Sequence, residues 1–428
     1  MGRRDPVQLH RVYGGKIEVV PKVPLASLDD FSVWYTPGVA EVSLAIEKNP
    51  DLSFELTSRW NIVAVVSDAT RVLGLGRLKP EAAYPVMEGK ALLFKYLGGV
   101  DAIPVIHKNT STSDFVDLVK SLEPSFGGVN IEDIESPKCF EVLDILRREL
   151  EIPVWHDDQQ GTAAATLAGL INAFNIVGKN LRESKFVLFG AGAANIALYN
   201  LLRRYGVPAS NIVVLDRKGV LHPDRDDIDR LLFSNPYKYR IALETGGGGL
   251  RPGAGPEEAL KGADALIAAS RPGPGVIKPE WISLMAKDPI VFALANPTPE
   301  IWPEEAKRAG AKVVATGRSD LPNQVNNALV FPGVFRGALD VRAKGISDGM
   351  VIAAAEELAE YAKEHGISEE RILPGLEDWK VHARVAAAVA SKATEEGLAR
   401  KPTTYRVEYE RALEIISRAR KLSRMASE

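Results

Sequence analysis

The sequence predicts an α/β protein of two domains with helices at its C-terminal end, and three observations predict it. Short apolar strands alternate with helical segments from about residue 60 onward, a strand, glycine turn, helix and strand follow one another near the middle, and beyond about Gly345 strand signals stop. Strands alternating with helices ask for a parallel sheet, because a parallel neighbour is reached only through a crossover. The first domain is expected over residues 1–160, the second over 161–345, and a helical segment packing on both over 346–428.

Taken in order, WNIVAVVSD, VDAIPVIHK and GGVNIED read as strands, with EAAYPVMEGKALLFKYLGG and SDFVDLVKSLEPSF as helices among them. The helix GTAAATLAGLINAFNIVG leads into KFVLFGAGAANIALYNLLRRYG and NIVVLDRKG, which form a βαβ unit of the doubly wound type. ADALIAAS, PIVFALANP and KVVATG continue that sheet, and TGGGGLRPGAGPEE reads as a surface loop. DGMVIAAAEELAEYAKE, WKVHARVAAAVASKATEEGLAR and TYRVEYERALEIISRARKL are helical, the last suited to packing or oligomer contacts.

Composition excludes several roles. The 428 residues are 46% apolar and 25% charged, enough to build proper cores. A net charge of -3, with Lys and Arg spread evenly, leaves no basic face for nucleic acid. No apolar run approaches the ~18 residues that span a bilayer, and no apolar stretch follows MGRRDPVQLH, so no membrane association and a cytoplasmic chain are expected. The single cysteine, Cys139, can form no internal disulfide.

Two acidic pairs carry the first chemical signal. Glu132-Asp133 in GGVNIEDI and Asp157-Asp158 in VWHDDQQGTAAAT are separated by about one helix and one strand. Two readings fit: carboxylates converging on a hard divalent cation such as Mg²⁺ or Mn²⁺, or solvated loop residues and helix caps. The second signal is the turn Gly190-Ala191-Gly192-Ala193-Ala194-Asn195 after an apolar strand, where glycines let the backbone approach a pyrophosphate at a helix N-terminus. Asn195 replaces the third glycine of that fingerprint. Asp216, ending the second strand, would accept hydrogen bonds from the ribose of NAD, whereas Arg217 and Lys218 beside it could hold the 2′-phosphate of NADP. Tyr35 in SVWYTPGVA and Lys90 in MEGKALLFK form a third group; taken singly, each fits a packed corner or a solvated charge. A lysine in an apolar cleft, however, is expected to lose basicity until it serves as a base near neutral pH.

YTPGVA, SDATRVLGLG, EGKALLFK, FGGVNIEDI, HDDQQGTAAAT, FALANPTPE and QVNNALVFPG, in this order, resemble the signature segments of the malic enzymes, in particular the short-subunit prokaryotic type. The resemblance covers residues 10 to 400 approximately and implies oxidative decarboxylation of L-malate to pyruvate and CO₂, with NAD or NADP reduced and Mg²⁺ or Mn²⁺ required. It implies an N-terminal substrate and metal domain beside a Rossmann-type dinucleotide domain, the site in the cleft between them, and a homodimer or higher homo-oligomer. It implies Glu132, Asp133 and Asp158 as metal ligands with Asp157 beside them handling protons, Lys90 as base and Tyr35 as the acid that protonates enolpyruvate. Arg71 matches a clamp on a malate carboxylate, and Asn296, Asn326 and Asn327 match amides contacting substrate and, for Asn296, nicotinamide. Arg77 and Lys79 depart from the family pattern after Gly-Leu-Gly, and Asn195 departs in the dinucleotide turn. A malolactic reaction, an oxaloacetate decarboxylase without net redox, and a silent nucleotide-binding regulator are the rival readings.

Overall fold

Ile62–Ser67, an almost wholly apolar and β-branched run, becomes the central strand of one sheet because both its faces are covered. This strand, β1, lies between β2 (Asp101–Ile106) and β3 (Gly128–Ile131), with β4 (Val154–His156) outside β3; all four are parallel. The computed structural model describes residues 5–425. A second sheet holds β5 (Phe186–Phe189), β6 (Ile212–Asp216), β7 (Gly219–Val220), β8 (Ala265–Ala268), β9 (Ile290–Ala293) and β10 (Val313–Thr316) in the order β10-β9-β8-β5-β6-β7. It is parallel except for the short edge strand β7.

Chain order reverses between β5 and β8, and the carboxyl ends of those strands form the crevice where doubly wound sheets take ligands. Between the sheets runs the buried helix Thr162–Val177, whose Ala-rich face lets the backbones of both layers approach. The C-terminal helices touch both layers: the Asn172 amide of the helix Thr162–Val177 donates to Ala359 O of the helix Asp348–Glu364 at 2.9 Å, while other contacts reach the first layer. Ile415 of the helix Tyr405–Met425 packs against Gly99, at the end of the helix Pro80–Gly98, and Arg420 lies over the Tyr96 ring at 4.1 Å. Phe331 and Phe335 of the helix Phe331–Asp340 meet Phe94 edge-on at 4.6 and 5.1 Å. The Gly-rich segment is less a free loop than expected: Gly247 is buried, close against His222. Among the described residues no helix is long and apolar enough to cross a membrane.

Candidate active site

Four carboxylates and one ammonium meet at the carboxyl ends of β3 and β4. Asp157 and Asp158 open not as ordinary caps but inside a π-helical turn, Asp157–Gly161, that runs into the helix Thr162–Val177. Gly161 is required there, since a Cβ would sit 2.0 Å from Asp157 Oδ1. Asp157 is fully buried; its Oδ1 accepts the indole N–H of Trp155 at 2.9 Å and its Oδ2 accepts Lys90 Nζ at 2.6 Å. Glu132, also buried, lies 3.2 Å from Lys90 Nζ and accepts from the Asn130 amide at 2.9 Å. Solvated caps are thereby excluded.

Asp133 adopts a left-handed backbone at φ 56°, a strained geometry for a residue with a side chain. The twist lets its N–H donate to Asp158 Oδ2 at 2.9 Å while its own Oδ1 accepts from Leu73 N at 3.2 Å. Its other oxygen, Oδ2, is buried with no partner. Glu132, Asp133 and Asp158 each present an oxygen within 4.8 Å of the others. An unpartnered buried oxygen among three converging carboxylates is the donor set a hard divalent cation takes. Burial pushes the Asp133 carboxyl up to about 7, aided by Asp158, and burial likewise holds Glu132 well above the usual carboxylate range.

Lys90 corrects an expectation. Burial alone would lower its pKa, but Asp157 and Glu132 outweigh it and hold the ammonium above the ordinary lysine value. Its far side faces the Phe331 ring at 4.6 Å. The rest of the predicted set divides. Arg71 is exposed at the rim, its backbone N–H bonded to Asp133 O at 3.0 Å, and its charge lowers the Asp133 pKa. Asn327 packs beside Gly161, and Asn326 caps the short helix after it through Ala328 N at 2.9 Å. Asn296, exposed after β9, approaches the first layer so closely that a Cβ on Gly74 would lie 2.3 Å from its carbonyl oxygen. Tyr35, at the end of the short helix Asp30–Trp34, is 69% exposed.

At the second sheet, Gly190 takes φ 103° and lies so near Ala269 O that a Cβ would come within 2.5 Å. Gly192 opens the helix Ala193–Tyr205 with nothing within 4 Å of a Cβ position, leaving room for a ligand at the helix N-terminus. Ala191 is buried, and Ala193 and Ala194 are half-buried. Asn195 turns inward, its amide donating to the carbonyls of Gly190 (2.9 Å), Phe189 (3.2 Å) and Ile267 (3.3 Å). It thus ties β5 to β8 where a glycine would give only close packing. Asp216 is held by Arg225 at 2.9 Å and Lys238 at 3.2 Å; burial would raise its pKa, but Lys218 N–H and these cations take it below the usual range. Arg217 is exposed beside it.

Trp155, Asn130, Arg225, Lys238 and Glu300 are residues the sequence reading missed. Glu300, fully buried, accepts from Ser270 N at 2.8 Å and Ala295 N at 3.0 Å, joining the loops after β8 and β9. Only Trp155, next to the acidic pair, carried a visible signal. A surface hollow of about 840 Å³ between the helices Asp348–Glu364 and Val381–Glu395 lies apart from this chemistry.

A doubly wound dinucleotide fold beside a buried acidic centre with a lysine at its heart defines a two-layer α/β oxidoreductase. Residues 14–114 match the family model of the malic enzyme N-terminal domain, and residues 159–394 that of the malic enzyme NAD-binding domain. The chain belongs to the malic enzyme family. It is 48% identical over 388 residues to the NAD-dependent malic enzyme of Geobacillus stearothermophilus, covering 91% of this chain and 78% of that one. It is 47% identical over 398 residues to the bifunctional malic/malolactic enzyme of Bacillus subtilis, covering 93% and 94%, and 42% identical over 403 residues to the NADP-dependent malic enzyme of Halomonas elongata, covering 91% and 92%. The crystal structure of the malic enzyme from Pyrococcus horikoshii superposes with a TM-score of 0.89 at 53% identity, covering 94% and 92%.

Proposed function

We propose that the protein converts L-malate to pyruvate and CO₂ with reduction of NAD or NADP, using a divalent cation held by Glu132, Asp133 and Asp158. The observation that carries this reading is Lys90 Nζ lying 2.6 Å from Asp157 and 3.2 Å from Glu132, inside that carboxylate cluster. When bound, the cation supplies Lewis-acid polarisation of the substrate's oxygens. Lys90 would pass its proton along the 2.6 Å hydrogen bond to Asp157 and, as a free amine, would take the C2 hydroxyl proton, while a bound nicotinamide would supply the hydride acceptor.

Arg71 at the rim suits a malate carboxylate, and Asn296, Asn326 and Asn327 suit the substrate and nicotinamide where the two layers meet. The turn from Gly190 to Asn195 suits the pyrophosphate. Asp216, with both oxygens engaged by cations and Arg217 beside it, supports acceptance of NADP as well as NAD. The assay is malate-dependent formation of free NADH or NADPH with Mn²⁺. Its absence, with lactate as the product, would establish the malolactic reaction that the Bacillus subtilis relative's name includes. Asp158→Ala should raise the Mn²⁺ concentration needed for half-maximal thermal stabilisation by ~10-fold or more; an unchanged titration would remove Asp158 from the ligand set.

A further inference from the structure

The strand order of the second sheet decides where the two halves of a dinucleotide would lie. With its pyrophosphate at the Gly190 turn after β5, the adenosine half would reach Asp216 at the end of β6, and the nicotinamide half would lie over β8 and β9. The loops after β8 and β9 therefore shape the nicotinamide end of the crevice. Ser270, in the first loop, packs against the turn, since a Cβ on Gly190 would come within 3.2 Å of its own. Asn296, in the second, meets Gly74 of the first layer. One carboxylate holds both loops. Glu300 Oε1 accepts Ser270 N at 2.8 Å and Ser270 Oγ at 3.0 Å, while Oε2 accepts Ala295 N at 3.0 Å. Glu300 is fully buried, and these partners are N–H groups and a hydroxyl rather than a cation. Burying a carboxylate without a counter-ion is costly, and a neutral side chain would fill the space. What the carboxylate adds is a second acceptor oxygen, so that each loop has one to itself.

We propose that Glu300 is a positioning residue for the nicotinamide half of the dinucleotide, setting the gap between Ser270 and Asn296 that the ring enters. This role rests on the Gly190–Asn195 turn being the pyrophosphate site. The two loops have other ties, Gly273 N to Thr298 O at 3.3 Å and Arg318 Nη1 to Pro297 O at 2.6 Å, so they keep their fold without Glu300 and lose only their spacing. Glu300→Gln keeps the volume but leaves one acceptor oxygen where there were two. Its amide then points an N–H at the N–H of either Ser270 or Ala295, and that loop loses its anchor. The gap would then be ordered only when the ring binds, and the ordering weakens binding of the ring alone.

Dissociation constants for NADH, for NADPH and for ADP-ribose, which lacks the nicotinamide, test this; the 2′-phosphate of ADP-ribose replaces it if NADPH binds more tightly than NADH. In Glu300→Gln the reduced dinucleotide should bind about tenfold more weakly than to wild type, with the ADP-ribose constant within about twofold. Equal weakening of both would make Glu300 a prop of the whole sheet and overturn the proposal, as would unchanged binding of both. Should that variant not fold, Ser270→Ala decides by the same ratio. It deletes one of the three donors from a half-buried loop residue, and the reduced dinucleotide alone should weaken by about two- to threefold. Parallel constants for the two probes in Ser270→Ala would overturn the proposal too. Malate turnover enters none of these measurements, so the malate-oxidising reading can fail while this one stands. A wild type that binds neither probe would sink the pyrophosphate site and Glu300's role with it.

Discussion

Two buried charge clusters in this protein obey the same electrostatics and end in opposite states. Around Asp340, Arg336 forms a two-pronged pair at 2.6 and 2.7 Å, and Arg411 adds a third contact at 3.1 Å. Glu408, the second acid, keeps its proton beside Asp340, so every acid of the cluster is either paired with an arginine or neutral. At Lys90, four carboxylates face one ammonium. Burying uncompensated charge is costly, so the first cluster is finished by the fold, whereas the second is the kind that suits a cation from outside. The two clusters are told apart by their charge balance, not by their burial.

Removing Lys90 tests that contrast most severely. Lys90→Ala should lower kcat for malate oxidation by about 10³-fold, the scale of a lost general base, while NADH binding followed by fluorescence stays unchanged. The variant should also gain more thermal stability from Mn²⁺ than the wild type does, since the carboxylates lose their internal counter-ion. Turnover within a few fold of wild type would break the assignment of the base.

Trp155→Phe is a smaller probe of the same cluster. It keeps the ring in the core and deletes the N–H that holds Asp157 Oδ1 at 2.9 Å. A hydrogen bond to a charged group is worth about 1.5–3 kcal/mol, so kcat should fall on the order of ten- to a hundredfold with little change in KM for malate. A kcat above half the wild-type value would show that Lys90 alone orients Asp157.

How much of this could be read from the chain divides along sequence distance. β1, β5, β8 and β9 were legible because central parallel strands are continuous apolar runs, and the edge strand β10 because it is buried and apolar as well. The acidic pairs and the glycine turn were legible as local patterns. The direction of the Lys90 shift was not, since its partner Asp157 lies 67 residues away and reverses what burial alone does. Asp216 illustrates the same limit. Its character depends on Arg225 and Lys238, nine and 22 residues on, and adjacent Arg217 and Lys218 gave no hint of them.

The balanced cluster carries the gentlest prediction. Burial pushes Glu408 up to about 9 from an ordinary 4.5, with Asp340 beside it disfavouring a second negative charge. Between those values the folded chain keeps a proton that the unfolded chain has released. The contribution to stability is therefore full below about pH 4.5 and is lost as pH rises toward 9. Glu408→Gln keeps the shape and a donor toward Asp340 without the titration. Its melting temperature should exceed the wild type's by about 2–4 °C at pH 8, on the order of 1 kcal/mol, and the gap should close on approaching pH 5. A gap independent of pH would mean that Glu408 is charged in the folded state, and Arg336 and Arg411 would then face two carboxylates.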